Sequence, residues 1–526
     1  MRGLARHLAC VRAVAQVLVL TALLSLFVVW LYAQPPWLAL YNSDLVHPFL
    51  LAEDLLADPR QLFTWHHSPA LYVFPDWLLS AVLISLPWPP TWAPIGYVGV
   101  MMTLYSLASG LACAAIGRCD VMTASWLSAL VLMLAGLLVL PFAGAPLGPG
   151  LYHQLGTAYV HSGALLATVA AIALWLWAQP QHAPMTPGTG AGARRRSAAL
   201  AGLTLLGFAA TFSDPLFIPW LALPLAITAT WHALAARSPA LLLRALPVLL
   251  AVAAGYLLQA DLNVRRGMIS ASAAGGFEQS LSFVRSAAPL LIERRDWPLL
   301  VSALLTGLLG ARALAVLVKS WRQRALPPAD QLDLLLAGGC AGALVAPIAT
   351  GMLIDWGTTR YLLAIGLLPL LWVVRWLVCC RLPALLQHGV PLAACVALPV
   401  LAMPAWAGVQ RLAATGPLQQ CLQAQGARAG FGDYWAAKSL LFASGRRIHV
   451  VQLAGVDRYR WNFNERWFTR RADTGAPLRP TFILPRNLDA ELLRRQFGEP
   501  ERRVRCADQM LWLYDRPLAL PWARVD

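Results

Sequence analysis

The chain has 526 residues, of which 58% are hydrophobic and 13% charged, and carries a formal charge of +16. Apolar residues this abundant, gathered into repeated runs near the ~20 residues that cross a bilayer, exclude an ordinary soluble protein and indicate a polytopic membrane protein. The basic excess does not mark a nucleic-acid binder, because Lys and Arg are scattered through short loops between apolar runs, where they set orientation.

The first predicted span, Val14 to Leu31, follows Arg2, Arg6 and Arg12 and has no clear small-residue cleavage site. It is expected to be a retained helix with the basic N-terminus on the cytoplasmic side. The segment Phe74 to Trp88 offers only about a dozen apolar residues between prolines, too few to cross, and reads as an interfacial or re-entrant helix. Treating it as non-spanning puts Arg118, Arg194 to Arg196, Arg237, Lys319, Arg322 and Arg324 on one side. That agreement favours one long outer loop over residues 32–92.

Further spans are predicted over Ile95 to Ile116, Trp126 to Phe142, Gly163 to Ala178, Leu200 to Phe212, Leu216 to His232, Leu243 to Leu258, Leu299 to Val318, Leu332 to Leu353, Tyr361 to Leu377 and Val390 to Ala407. With the first they make about eleven, the span before Ser213 being the shortest. The expected fold is an all-α polytopic membrane domain over 1–409 and a small α/β extracytoplasmic domain over 410–526, where charged residues become frequent. Within the latter, the patterns predict a helix over Ala436 to Ser444, a strand over Ile448 to Leu453, an amphipathic helix over Leu488 to Phe497 and a closing strand over Gln509 to Tyr514. Of nine cysteines only Cys421 and Cys506 fall in this domain, and in an oxidising compartment they could pair.

The stretch Tyr41 to Leu55 sets Asp44, Glu53 and Asp54 just beyond the first span. Glu53, Asp54 and Asp58 fit a solvated face of a helix lying on lipid headgroups. Asp44 precedes that helix, where it either caps the helix or serves as a base facing an outer compartment.

The order of these features resembles the GT-C superfamily of membrane glycosyltransferases, which includes protein O-mannosyltransferases and lipid A aminoarabinose transferases. The matching pieces are Asn42-Ser-Asp44, the acidic helix His47 to Leu56, the short helix Phe74 to Leu83, and Thr359-Arg-Tyr-Leu-Leu-Ala-Ile-Gly366, which is similar to an Arg-Tyr-Leu-x-Pro segment opening a late span in many members. The resemblance covers most of the membrane half and is architectural. It implies an enzyme of the bacterial inner membrane that moves a sugar, with inversion, from a polyprenyl-phosphate donor to a periplasmic glycan, lipid or protein acceptor. In that scheme Asp44 is the base and Arg360 binds the donor phosphate, with Arg265 and Arg266 as further phosphate ligands. Two departures are visible. Leu45 follows Asp44 where many relatives carry Glu, and Tyr152 to His161 lacks the second carboxylate that several families have there.

His153 or His161 could replace that carboxylate, although a lone loop histidine is more often incidental. His66 and His67, with Asp44 or Asp76, could hold a divalent metal, which is not the favoured reading; Asp76 more simply caps the short helix. Asp214, in Ser213-Asp-Pro215, is an acidic residue at membrane depth and hence a functional candidate, with capping as the equal alternative. Asp355 could orient Arg360. The aromatic and amide-rich segments Gly432 to Lys438 and Tyr459 to Phe468 suggest either a small-domain core or an acceptor-binding surface. Beside the transferase stand two other readings, a lipid-linked sugar transporter or flippase and a non-catalytic cell-envelope assembly protein. The lack of an obvious repeat and the scarcity of mid-span ionisable groups weigh against transport.

Overall fold

The computed structural model describes residues 2–32, 43–116, 119–139, 161–179, 191–265, 276–293, 297–355, 357–379, 396, 400 and 416–522. The chain divides into two compact units. One comprises Met1–Leu31, Pro69–Pro75 and Val98–Met403; the other comprises Tyr32–Ser68, Asp76–Tyr97 and Pro404–Asp526.

The first unit is helical. Among the described residues seven segments are long and apolar enough to cross a membrane: Val11–Leu31, Pro90–Ala115, Ile218–Ala236, Ala240–Asn263, Leu299–Gln323, Pro328–Ala349 and Thr358–Val378. Each overlaps a predicted span, and together they make this a multi-pass membrane protein. The other four predicted spans are not among the seven. Val121–Leu137 and Ser162–Trp177 are apolar but shorter. The helix Ala191–Ser213 is long enough, but Arg194, Arg195 and Arg196 occupy its first turns. Most of Val390 to Ala407 lies outside the described residues. Val73–Ile84 is likewise one of the shorter apolar helices, consistent with its reading as non-spanning.

Close approach of helices here depends on small residues, since lipid offers no hydrophobic drive to press helices together. A Cβ on Gly255 would stand 2.6 Å from the Phe208 carbonyl oxygen, so the helix Ala240–Arg265 can lie against Ala191–Ser213 only with glycine there. The helices Trp297–Gln323, Pro328–Ala349 and Leu363–Cys379 are tied by charge. Asp333, with no exposed surface, takes Arg312 Nε at 3.0 Å and the Arg375 guanidinium, while Asp330 takes Arg312 at 3.1 Å and Lys319 at 2.8 Å. Buried carboxylates persist because each is paired.

The second unit contains a six-stranded mixed sheet. The strands of the unit, in chain order, are β1 (Trp65–His66), β2 (Ala429–Gly432), β3 (His449–Ala454), β4 (Asp457–Arg458), β5 (Phe463–Asn464), β6 (Phe482–Ile483), β7 (Arg502–Cys506) and β8 (Gln509–Leu513), of which β1 and β5 form a separate pair. The sheet order is β4-β3-β2-β6-β8-β7, with β2 parallel to both β3 and β6 and the remaining pairs antiparallel. The helix Tyr434–Ala443 crosses from β2 to β3 and buries Ala437 and Leu440 with Ile448, Val450, Phe482 and Leu511. The predicted helices and β3 and β8 are present, but β8 is an interior strand and Arg502–Cys506 forms the edge. Its run of arginines disguises a strand whose charged side chains sit at a solvated margin. Cys421 and Cys506 form a disulfide, with Cα atoms 5.6 Å apart.

Apart from Pro69–Pro75, the first loop belongs to this unit rather than to the helical one with which its sequence position groups it. Its helix Ser43–Ala57 packs on Tyr434–Ala443, and β1 pairs antiparallel with β5, Trp65 opposite Asn464 and His66 opposite Phe463. Two residues of strand are too few to stand alone, so β1 exists because the distant segment supplies its partner.

Candidate functional site

The second unit holds Asp44 in a polar cluster. Asp44 lies in the first turn of Ser43–Ala57, with His47 three residues on and therefore on the same helix face. The half-buried Asp44 carboxylate accepts a hydrogen bond from the Tyr434 hydroxyl. Ser43 fixes the same junction by donating from Oγ to the Tyr434 and Trp435 carbonyls at 2.5 and 3.0 Å. One turn beyond Tyr434, the fully buried Lys438 sets Nζ 3.7 Å from the Tyr434 ring centroid and donates to the Asn462 carbonyl at 3.2 Å. Burial drives the Lys438 ammonium well below its ordinary range, toward the neutral amine, while the negative charge of Asp44 opposes that shift. Burial also holds His47 well below the ordinary histidine value, assisted by the charges of Lys438 and His67.

Farther along the same helix the other carboxylates serve packing. Arg446 donates from Nη1 to Asp54 at 2.6 Å and lies 2.8 Å from Glu53 through Nη2. Asp54 also receives the Trp65 indole N–H at 2.9 Å and the Asn464 amide at 2.8 Å. Burial pushes the Glu53 carboxyl up, against the pull of Arg446. Asp54 is therefore a buried, saturated acceptor, and the expected headgroup-facing role of this helix face does not hold at that position.

The adjacent histidines diverge, His66 ending β1 and His67 lying just past it. His66 Nε2 meets Glu465 at 2.6 Å, and Glu465 in turn holds Arg458 at 2.6 Å and Arg460 at 3.2 Å. Although burial raises it, the Glu465 carboxyl lies below its usual range because His66 and the two arginines favour its charged form. His67 instead lies against the Trp77 ring, 5.3 Å between centroids, with Nε2 3.4 Å from the Leu62 carbonyl. Asp76 accepts the Tyr97 hydroxyl. Among the described residues no three His, Cys, Asp or Glu side chains form a group able to hold a metal.

A second polar cluster lies in the first unit. His161 opens the helix Ser162–Trp177 with a left-handed backbone, φ 65°, and its Nδ1 lies 2.6 Å from Asp214 Oδ2. The other Asp214 oxygen accepts the Leu216 N–H at 3.0 Å, so this carboxylate both caps the following turn and holds the imidazole. The Tyr72 hydroxyl is 3.3 Å from His161 Nε2, and the Tyr361 ring lies 5.1 Å from the imidazole. Beside it, the Arg360 guanidinium carbon is 5.5 Å from the Tyr361 ring centroid. A bond from Nδ1–H to the carboxylate would leave Nε2 as the proton acceptor of the ring. Asp355 accepts the Thr358 N–H at 2.9 Å and closes its own turn.

Arg265 ends the helix Ala240–Arg265, its side chain lying outside what is described; Arg266 and His153 also fall outside the described residues. Sequence reasoning did not single out His47, Tyr434 or Lys438 individually. The available signals were the three-residue spacing of Asp44 and His47 and the aromatic segment Gly432 to Lys438 that contains Tyr434 and Lys438. No protein-family model, curated protein or solved structure matches this chain.

Proposed function

We propose that the protein is an integral membrane glycosyltransferase of GT-C type, which moves a sugar from a polyprenyl-phosphate donor to a glycan, lipid or protein acceptor. The observation that supports it most is the Asp44 site: a half-buried carboxylate at a helix start, bonded to Tyr434 and set near a buried amine, while Asp54 on the same helix is consumed by structural bonds. In this scheme Asp44 takes the proton of the acceptor hydroxyl as its oxygen bonds to the sugar's anomeric carbon. The bond from that carbon to the phosphate oxygen breaks on the opposite face, and the electron pair leaves with the phosphate. Inversion follows from that displacement. The Tyr434 hydroxyl fixes the orientation of the carboxylate, which a general base requires before its proton affinity matters. Arg360 is the proposed partner of the leaving phosphate, where negative charge develops.

The inner membrane of a bacterium is the proposed setting, with the N-terminus cytoplasmic and the second unit periplasmic. The Cys421–Cys506 disulfide supports an oxidising compartment for that unit. The test is sugar transfer from polyprenyl-phosphate donors in membranes holding the wild type or Asp44→Asn at matched levels. Loss of a positioned base should lower transfer by about 100-fold or more. Undiminished transfer by the amide variant would remove Asp44 from the chemistry.

A further inference from the structure

The second unit also contains an open cleft of about 840 Å³, within the range that accepts a small organic ligand. Its acidic wall, Glu53 and Asp54, shares the single guanidinium of Arg446, which offsets one of the two negative charges. Trp467 supplies an apolar element of the lining. Arg466 and Arg470 are exposed on the cleft and, among the described residues, neither forms an ion pair with a carboxylate. Arg470 Nη1 donates to the Gly475 carbonyl at 3.1 Å, a bond that leaves the guanidinium charge uncompensated. Arg466 lies in the short 3-10 turn Glu465–Phe468 and Arg470 two residues past its end, and both line the cleft, so it has two forked donors.

We infer that this cleft binds a phosphorylated saccharide, with Arg466 and Arg470 on the phosphate and the polar wall of the cleft toward the sugar. The guanidinium fork matches phosphate geometry, and the volume suits a sugar attached to it rather than a bare ion. Such binding requires no transfer chemistry, so a chain unable to transfer sugar would still show it.

The full-length protein in detergent micelles would be titrated calorimetrically with lactose 1-phosphate and with lactose, as wild type and as the Arg466→Ala/Arg470→Ala double variant. Parallel titrations would use nanodiscs of phosphatidylcholine alone or with phosphatidylglycerol. The expected result is saturable binding of one sugar phosphate per chain, about tenfold or more tighter than lactose, and weakened by about tenfold or more in the variant at unchanged thermal midpoint. It should also weaken as salt screens the charges. Absence of saturable sugar-phosphate binding, equal binding of lactose, or an unaltered variant would overturn the assignment. So would competition by phosphatidylglycerol without any binding in micelles, which would make the cleft a lipid-headgroup site.

Discussion

Acidification should loosen the second unit through His449. This residue sits on β3 with no exposed surface, its Nε2 2.9 Å from the Trp467 carbonyl and its Nδ1 accepting the Ala472 N–H at 3.0 Å. The acceptor role of Nδ1 requires the neutral ring, because an imidazolium has only donors. Burial lowers the His449 pKa from 6.5 to about 4. An unfolded chain therefore takes up this proton before the folded one, and stability falls as pH drops from about 7 toward about 4. The full gap corresponds to about 3 kcal/mol, of which about 2 kcal/mol is lost between pH 7 and pH 5. The assay is hydrogen exchange of the peptide containing Ala472 in the full-length protein, corrected for the intrinsic pH dependence of exchange. His449→Gln offers a donor and an acceptor with no proton to gain, so its protection should start lower and fall less steeply over this range. Burial lowers the His47 pKa as well, so His47 also costs stability as pH falls, and the difference between wild type and variant isolates His449. An acid slope equal in wild type and His449→Gln would refute the assignment to His449.

Two further perturbations probe each unit separately. Asp333→Asn should destabilise the helical unit by about 3–5 kcal/mol, since Arg375 and Arg312 lose a fully buried partner; a thermal midpoint in micelles equal to wild type would contradict this. Cys421→Ser/Cys506→Ser opens a link across 85 residues and should cost about 2–5 kcal/mol, read as faster proteolysis of the C-terminal segment without reductant. Proteolysis unchanged from wild type would show the bond to be energetically silent.

Seven spans were readable because a long apolar helix is a local property: length and composition decide it without reference to neighbours. The C-terminal helices and the strands His449–Ala454 and Gln509–Leu513 were readable for a similar reason, as their periodicity is written in adjacent residues. The limit appears where partners are far apart in the chain. β1 has two residues and gains strand character only from Phe463–Asn464, so no window around Trp65 could reveal it. The same holds for Asp44 and Tyr434, and for Asp54 with Asn464.

His161 shows how that limit shapes the reading of function. Alone in a loop it is an unremarkable residue, and Asp214 alone is a plausible helix cap. The fold sets them 2.6 Å apart and nearly buried, with the Tyr72 hydroxyl against the ring. Capping then no longer exhausts the role of Asp214, because one oxygen caps the turn and the other meets His161. Asp54 moves in the opposite direction, from a solvated surface charge to a buried hub for Arg446, Trp65 and Asn464. A carboxylate's role is thus set by what its second oxygen meets, and that partner is supplied by tertiary structure, 53 residues away for Asp214 and 410 for Asp54.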